Sequence, residues 1–532
     1  MRLLSALCTV AALATALPAQ AGRIPEGTRA PMDRGPGLVV PLPERATGDG
    51  SDDFSLDLLF SAEQGDRDAQ FAVAYALDQG AGIAEDDAGA AFWYEKAAQQ
   101  GHPSAQYNLA LMYASGEGVA RDSNQEIRWY LAAAGQGHHH AQYNLALKFD
   151  RGTDVPEDHV SAFYWMSIAA EGRDPDALYA LGLAHDAGRG TAEDDEAAVR
   201  LYREASARGH AGATNNLGVM YALGEGVEQN DAQAVRYYRL AAKAGDVEAM
   251  NNLARRYENG RGIALDIEQA AHWYGKAARR GFASAQFRYG WLHDQGTGMA
   301  QDKATALHWY EKAAAQGHIV SQYNTGWMYE TGTGADADPA LAAHWYRKAA
   351  EAGDRDAQLR LALLHQFDES GNRDIAAALR WHMAAAARGE ALSMTNIGYL
   401  FDAGDGVPQD RVAAVDWYRR AATAGDATGQ FNLALKLETG DGAEKDIRRA
   451  VHWYRRAALQ GERDAQRRLG ELYAAGTGID ADRVLAVAWF RLAEEFGAEM
   501  TEATVLESAL TDDERREAAE RLATLRARLA DR

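Results

Sequence analysis

The sequence predicts an all-α chain, an α/α superhelical solenoid of about twelve helix-turn-helix repeats with a capping helix at each end. Three periodic observations predict it. A small residue returns every 36 positions: Ala69, Ala105, Ala141, Ala177, Ala213, Ala249, Ala285, Ala357 and Ala465, with Ser321, Ser393 and Gly429 in the same slot. A second column, from Ala97 through Ala277 to Ala493, is alanine in all twelve copies. A third column is aspartate from Asp86 to Asp482, broken only by Asn230. A fixed period of this length marks stacked helical hairpins rather than one globular core.

The elements follow in chain order. Residues 1–21 have the pattern of a secretory leader: Arg2, an apolar run from Leu3 to Leu17, and Ala19-Gln20-Ala21 as a cleavage signal. The mature chain is expected to start near Gly22, in a bacterial periplasm or secreted. The apolar run is too short to span a bilayer and no later one is long enough, so no membrane insertion is expected after cleavage. Cys8, the only cysteine, lies in this leader, which leaves the mature chain no disulfide or thiolate metal site. Residues 22–50, with Pro25, Pro31, Pro36, Pro41 and Pro43, are expected to be a disordered linker. Residues 51–64 hold FSLDLLFSAEQ and are assigned an N-terminal capping helix, residues 65–496 the repeats, and residues 497–532 a C-terminal capping helix opened by a Thr511–Glu514 capping box.

One repeat shows the logic of all. In GHPSAQYNLALMYASGEGVARDSNQEIRWYLAAAGQ, Ala105, Leu109 and Tyr113 line one face of a first helix. Gly116 and Gly118 supply the turn. Asp122 is placed to accept the free amides of the second helix, and Asn230, an equally good cap, supports that role. Trp129, Tyr130 and Ala133 then pack the second helix.

These motifs resemble the Sel-one-like repeat (SLR) family, a relative of tetratricopeptide repeats. The matching residues run as AQYNLALMYASGEGVARD followed by RWYLAAAGQG, and recur twelve times over residues 65–496. The resemblance implies a protein-binding scaffold or adaptor in the bacterial envelope, or a periplasmic regulator of a sensor or surface-polymer system. A cysteine-rich branch of the family is associated with penicillin binding, which implies a hydrolase as another reading. This chain lacks the cysteines of that branch.

No catalytic residue, cofactor or metal site is expected. Ser-x-x-Lys, G-x-S-x-G and H-E-x-x-H are absent from the sequence. The G-x-G loops follow helices, so they are turns rather than phosphate cradles. His102, His138, His210 and His318 share one repeat slot, and zinc-ligand spacing is missing around them. The net charge of −22 argues against nucleic acid and against anionic membranes, and leaves basic partners or no charge preference.

Two departures mark candidate binding residues for a protein or extended peptide. Asn108, Asn144, Asn216, Asn252, Asn324, Asn396 and Asn432 share a first-helix slot about 100° from the Leu109 column. An amide there offers both donors and an acceptor to a peptide backbone. Ten of the twelve tryptophans occupy the slot of Trp93, but Trp291 and Trp327 occupy the one held by Leu111 or Val219 elsewhere. The reading is that Trp291 and Trp327 anchor a partner whose backbone is read by Asn216, Asn252 and Asn324. The loop from Gln366 to Gly371 lacks both usual glycines and is expected to turn differently.

Overall fold

The computed structural model describes residues 54–367, 373–497 and 501–530. The leader and linker lie outside these residues, as does most of the divergent loop, from Asp368 to Gly371. Among the described residues there are 27 helices and no strand, and none of the helices is long and apolar enough to cross a membrane. The chain divides between Gln301 and Asp302 into two compact units.

In the unit that ends at Gln301, the helices from Leu56–Glu63 to Ala283–Gln295 each pack on the one before and the one after. The same holds in the second unit from Lys303–Ala315 to Arg483–Glu495, on which both C-terminal helices pack. The fold is thus a helical-repeat solenoid, and hairpins of about 13-residue helices form because the sequence punctuates itself. Asp86 Oδ1 accepts the Gly89 amide at 3.0 Å, and Asp446 accepts Arg449 N at 3.0 Å. Turn glycines are sterically required at Gly118, where an added Cβ would lie 2.1 Å from the Asp87 carbonyl oxygen.

The core is built mainly from alanine, leucine and tyrosine. Tyr94, Tyr130, Tyr202, Tyr238 and Tyr274 are fully buried in the first unit, as are Tyr310, Tyr346 and Tyr454 in the second. Their rings need small residues beneath them: a Cβ on Gly326 would come within 2.8 Å of the Tyr346 ring. A row of buried glutamines completes the hairpin joints. Gln106, Gln142, Gln322, Gln358 and Gln466 each donate to an alanine carbonyl eight residues earlier, at 3.0–3.1 Å. Those carbonyls lie at the C-terminal ends of second helices, where no intrahelical partner exists.

Leu56–Glu63 is capped by Ser55 but buries only Ala62, leaving Leu56 and Phe60 exposed. At the other end, two helices, Thr501–Ser508 and Asp512–Ala530, stand where one was expected. The chain breaks at Thr511, whose hydroxyl accepts the Glu514 amide while the Glu514 carboxylate accepts the Thr511 amide at 2.7 Å. Asp512–Ala530 packs on the last second helix, burying Ala518 and Leu525.

Candidate interaction surface

The asparagine column points inward. Asn216, Asn252 and Asn324 are 2%, 0% and 2% exposed, so a docked peptide backbone cannot reach them. The expectation that they read a partner is corrected: the slot belongs to the joint between repeats. Asn108 Nδ2 donates to the Tyr94 hydroxyl at 2.9 Å, and that hydroxyl donates to Asp78 at 3.1 Å. Asn216 faces Tyr202, which donates to Asp186 at 3.2 Å. Asn252 Nδ2 donates to Asn215 Oδ1 at 3.1 Å. Burial, then the nearby Asp78 charge, push the Tyr94 hydroxyl well above its ordinary pKa, so it stays a proton donor.

Where the asparagine slot holds arginine, the acid thirty residues earlier is glutamate. The three instances are Arg288 with Glu258, Arg360 with Glu330 and Arg468 with Glu438. In each, the intervening tyrosine also donates to the glutamate: Tyr274 at 2.8 Å, Tyr346 at 2.6 Å and Tyr454 at 2.8 Å. In the divergent repeat the tyrosine and acid change together, giving His382 with Gln366 at 2.8 Å and with Ser393 at 3.2 Å. Burial lowers the His382 pKa to about 3, so its buried imidazole is neutral at physiological pH.

Trp291 and Trp327 are half-buried on first helices. The Arg288 guanidinium lies over the Trp291 ring at 4.7 Å. Trp327 packs at the margin of the cluster built on Tyr323, Tyr346 and Leu361. Each therefore retains open indole surface, in its own unit.

The shared histidine slot turns out to cap first helices. His102, His138 and His210 accept the amides of Ala105, Ala141 and Ala213 through Nδ1 at 3.2, 3.3 and 2.9 Å, and His318 accepts that of Ser321 at 3.2 Å. Three rings stack on aromatics of the preceding first helix: Phe71 on His102, Tyr107 on His138 and Tyr179 on His210. The signal was present in the sequence, since Asp66, Asp174, Asp246, Asp354 and Asp426 fill the same slot and cap in the same way.

No group of three His, Cys, Asp or Glu among the described residues is arranged to hold a metal ion. An open cavity of about 550 Å³ lies beside His185 and is lined by Glu193, Asp194, Asp195 and Glu196. Asp194 caps its helix by accepting the Ala197 amide at 2.8 Å.

The family described as Sel1 repeat matches twelve consecutive segments, from 67–102 to 463–495. The chain belongs to the Sel1 repeat family. Proteins of this family act in general as non-catalytic protein–protein interaction scaffolds. Among solved structures, the chain is similar to a protective antigen of uropathogenic Escherichia coli with an SLR fold, at 32% identity and a TM-score of 0.53. That match covers 89% of this chain and 95% of the antigen. It is also similar to a Sel1 repeat protein from Oxalobacter formigenes, at 32% identity and a TM-score of 0.50, over 58% of this chain and 89% of that one. No curated protein sequence matches.

Proposed function

We propose that this Sel1 repeat protein is an exported, non-catalytic scaffold that holds a protein or extended peptide in the cell envelope. The leader-like pattern of Arg2, Leu3–Leu17 and Ala19-Gln20-Ala21 supports export. The observation that carries binding is the state of Trp291 and Trp327. The slot ranges from buried, as at Val219, to half-buried, as at Leu111, Leu147 and Leu435, and both indoles stay half-open in it, so the largest side chain stands where the slot is open. Partly open aromatic rings held by a rigid helix are favoured anchors, because they bury much area at little entropic cost.

Pull-down from envelope fractions with the full chain tests this, comparing it with Trp291→Ala and Trp327→Ala separately. Loss of a captured partner by more than tenfold, with unchanged circular dichroism, is the expected result. Normal capture by both variants places the site elsewhere, and loss of helix content makes the indoles packing residues.

A further inference from the structure

The overall charge of −22 conceals a local reversal. In the second unit, five consecutive second helices are Lys303–Ala315, Pro339–Glu351, Ile375–Ala387, Arg411–Ala424 and Ile447–Ala458. Together they carry twelve Lys and Arg against three acidic residues. The six second helices of the first unit, from Asp87–Gln99 to Ile267–Arg279, carry nine of each.

The cations are ordered. Lys312 lies over Trp309 at 4.9 Å, Lys348 over Trp345 at 4.7 Å, Arg420 over Trp417 at 4.6 Å and Arg456 over Trp453 at 5.2 Å. A ring face beneath a cation fixes its position and leaves its outer side to solvent. Arg347, Arg380 and Arg448 are exposed and form no ion pair among the described residues. The rungs fall in two groups, Lys312 with Lys348 and Arg420 with Arg456, because Ala384 takes the slot between them.

We propose that this row binds an acidic, extended polypeptide whose carboxylates come in two clusters. Polypeptide is favoured over a uniform polyanion by the flanking acids. Asp338, Asp410 and Asp446 cap the same helices at their N-termini, ten residues before Lys348, Arg420 and Arg456. Ten residues of helix place the acid row about 15 Å from the cation row. A nucleic-acid duplex is wide enough to overlie both and is repelled by one. A single polypeptide can follow the cations and present neutral residues at the Ala384 gap. This surface lies on second helices and is independent of the tryptophan reading above.

The test uses the full chain and a fluorescent peptide with two Glu clusters joined by a Gly-Ser spacer. Binding is expected to weaken as salt rises, and the peptide with Gln for Glu should not bind. Lys348→Glu with Arg420→Glu and Arg456→Glu should weaken binding more than tenfold. Lys96→Glu with Arg236→Glu and Lys276→Glu, on the balanced helices, should leave it unchanged. Lys96 and Lys276 also sit over rings, so this control removes comparable packing. Arg448→Glu alone, which breaks no ion pair or side-chain hydrogen bond among the described residues, should weaken binding at least twofold and covers the case in which the triple variant misfolds. Equal binding of the Gln peptide, equal loss in both triple variants, or tighter binding of heparin or single-stranded DNA would overturn the proposal. Trp291→Ala and Trp327→Ala should not alter this binding, so its failure is distinguishable from failure of the scaffold reading.

Discussion

Arg468 Nε donates to Glu438 Oε2 at 3.0 Å, joining the first helices of two successive repeats. Burial alone would raise the Glu438 pKa, but the hydrogen bonds from Arg468 and Tyr454 outweigh it and hold the carboxyl below its ordinary value. The pairing is selective: Arg occurs in its slot only opposite Glu, while Asn occurs opposite Asp78, Asp186, Asp294 and Asp402. Side-chain length explains the exchange. A long guanidinium reaches a glutamate at the joint, whereas a short amide reaches only as far as the tyrosine hydroxyl, as Asn108 does with Tyr94.

This pairing predicts non-additive stability. Arg468→Asn should destabilise the chain because the buried Glu438 charge loses its guanidinium, and Glu438→Asp because the shorter carboxylate falls short of Arg468. The double change recreates the combination found at Asp78 and Asn108 and should recover about 1 kcal/mol of the summed loss. Urea unfolding of the four proteins closes the cycle; strict additivity would show that the residues do not act together.

The aspartate column predicts local damage. Asp302 accepts the Thr305 amide at 2.9 Å and the Thr305 hydroxyl at 2.7 Å. Asp302→Ala should cost about 1 kcal/mol. In a linear array the loss should appear as faster amide exchange in Lys303–Ala315 and fade in distant repeats. Unchanged exchange in that helix would remove the capping assignment.

The helices were legible in the sequence because period, turn glycines and aspartate caps agree with one another. The orientation of Asn216 and Asn252 was not. An angle of about 100° from the leucine column marks a boundary on an isolated helix, but a first helix in an array is covered from two sides. The histidine caps escaped because His102 and Asp66 do the same work with different chemistry, and only alignment of the repeats reveals it. The cationic row escaped because net charge averages over surfaces that never meet the same partner.

Gly326 tests the packing under the buried tyrosines. Gly326→Leu forces atoms into the Tyr346 ring, which is itself held by Glu330. Overpacking of this kind costs about 1–3 kcal/mol. Gly326→Ala should cost less, because Ala254 and Ala434 fill the same slot in other repeats. Thermal melting of both variants distinguishes them; equal loss would mean that backbone freedom, rather than space, requires glycine here.

His138 makes stability depend on pH. Burial, reinforced by His140 and His139, lowers its pKa to about 4 from an ordinary 6.5. Its Nδ1 must be unprotonated to accept the Ala141 amide. A depressed histidine contributes fully above the unfolded value of 6.5, and its contribution is lost as pH falls from there toward 4, since the unfolded chain takes up the proton first. Melting temperature should therefore decline between pH 6.5 and 4 more steeply than carboxylate titration alone predicts. His138→Asn keeps a capping oxygen that does not titrate, so the variant should match the parent to within about 1 kcal/mol near pH 7 and lose less of its stability at pH 5. Parallel melting curves for the two proteins across this range would show that the cap does not sense the proton.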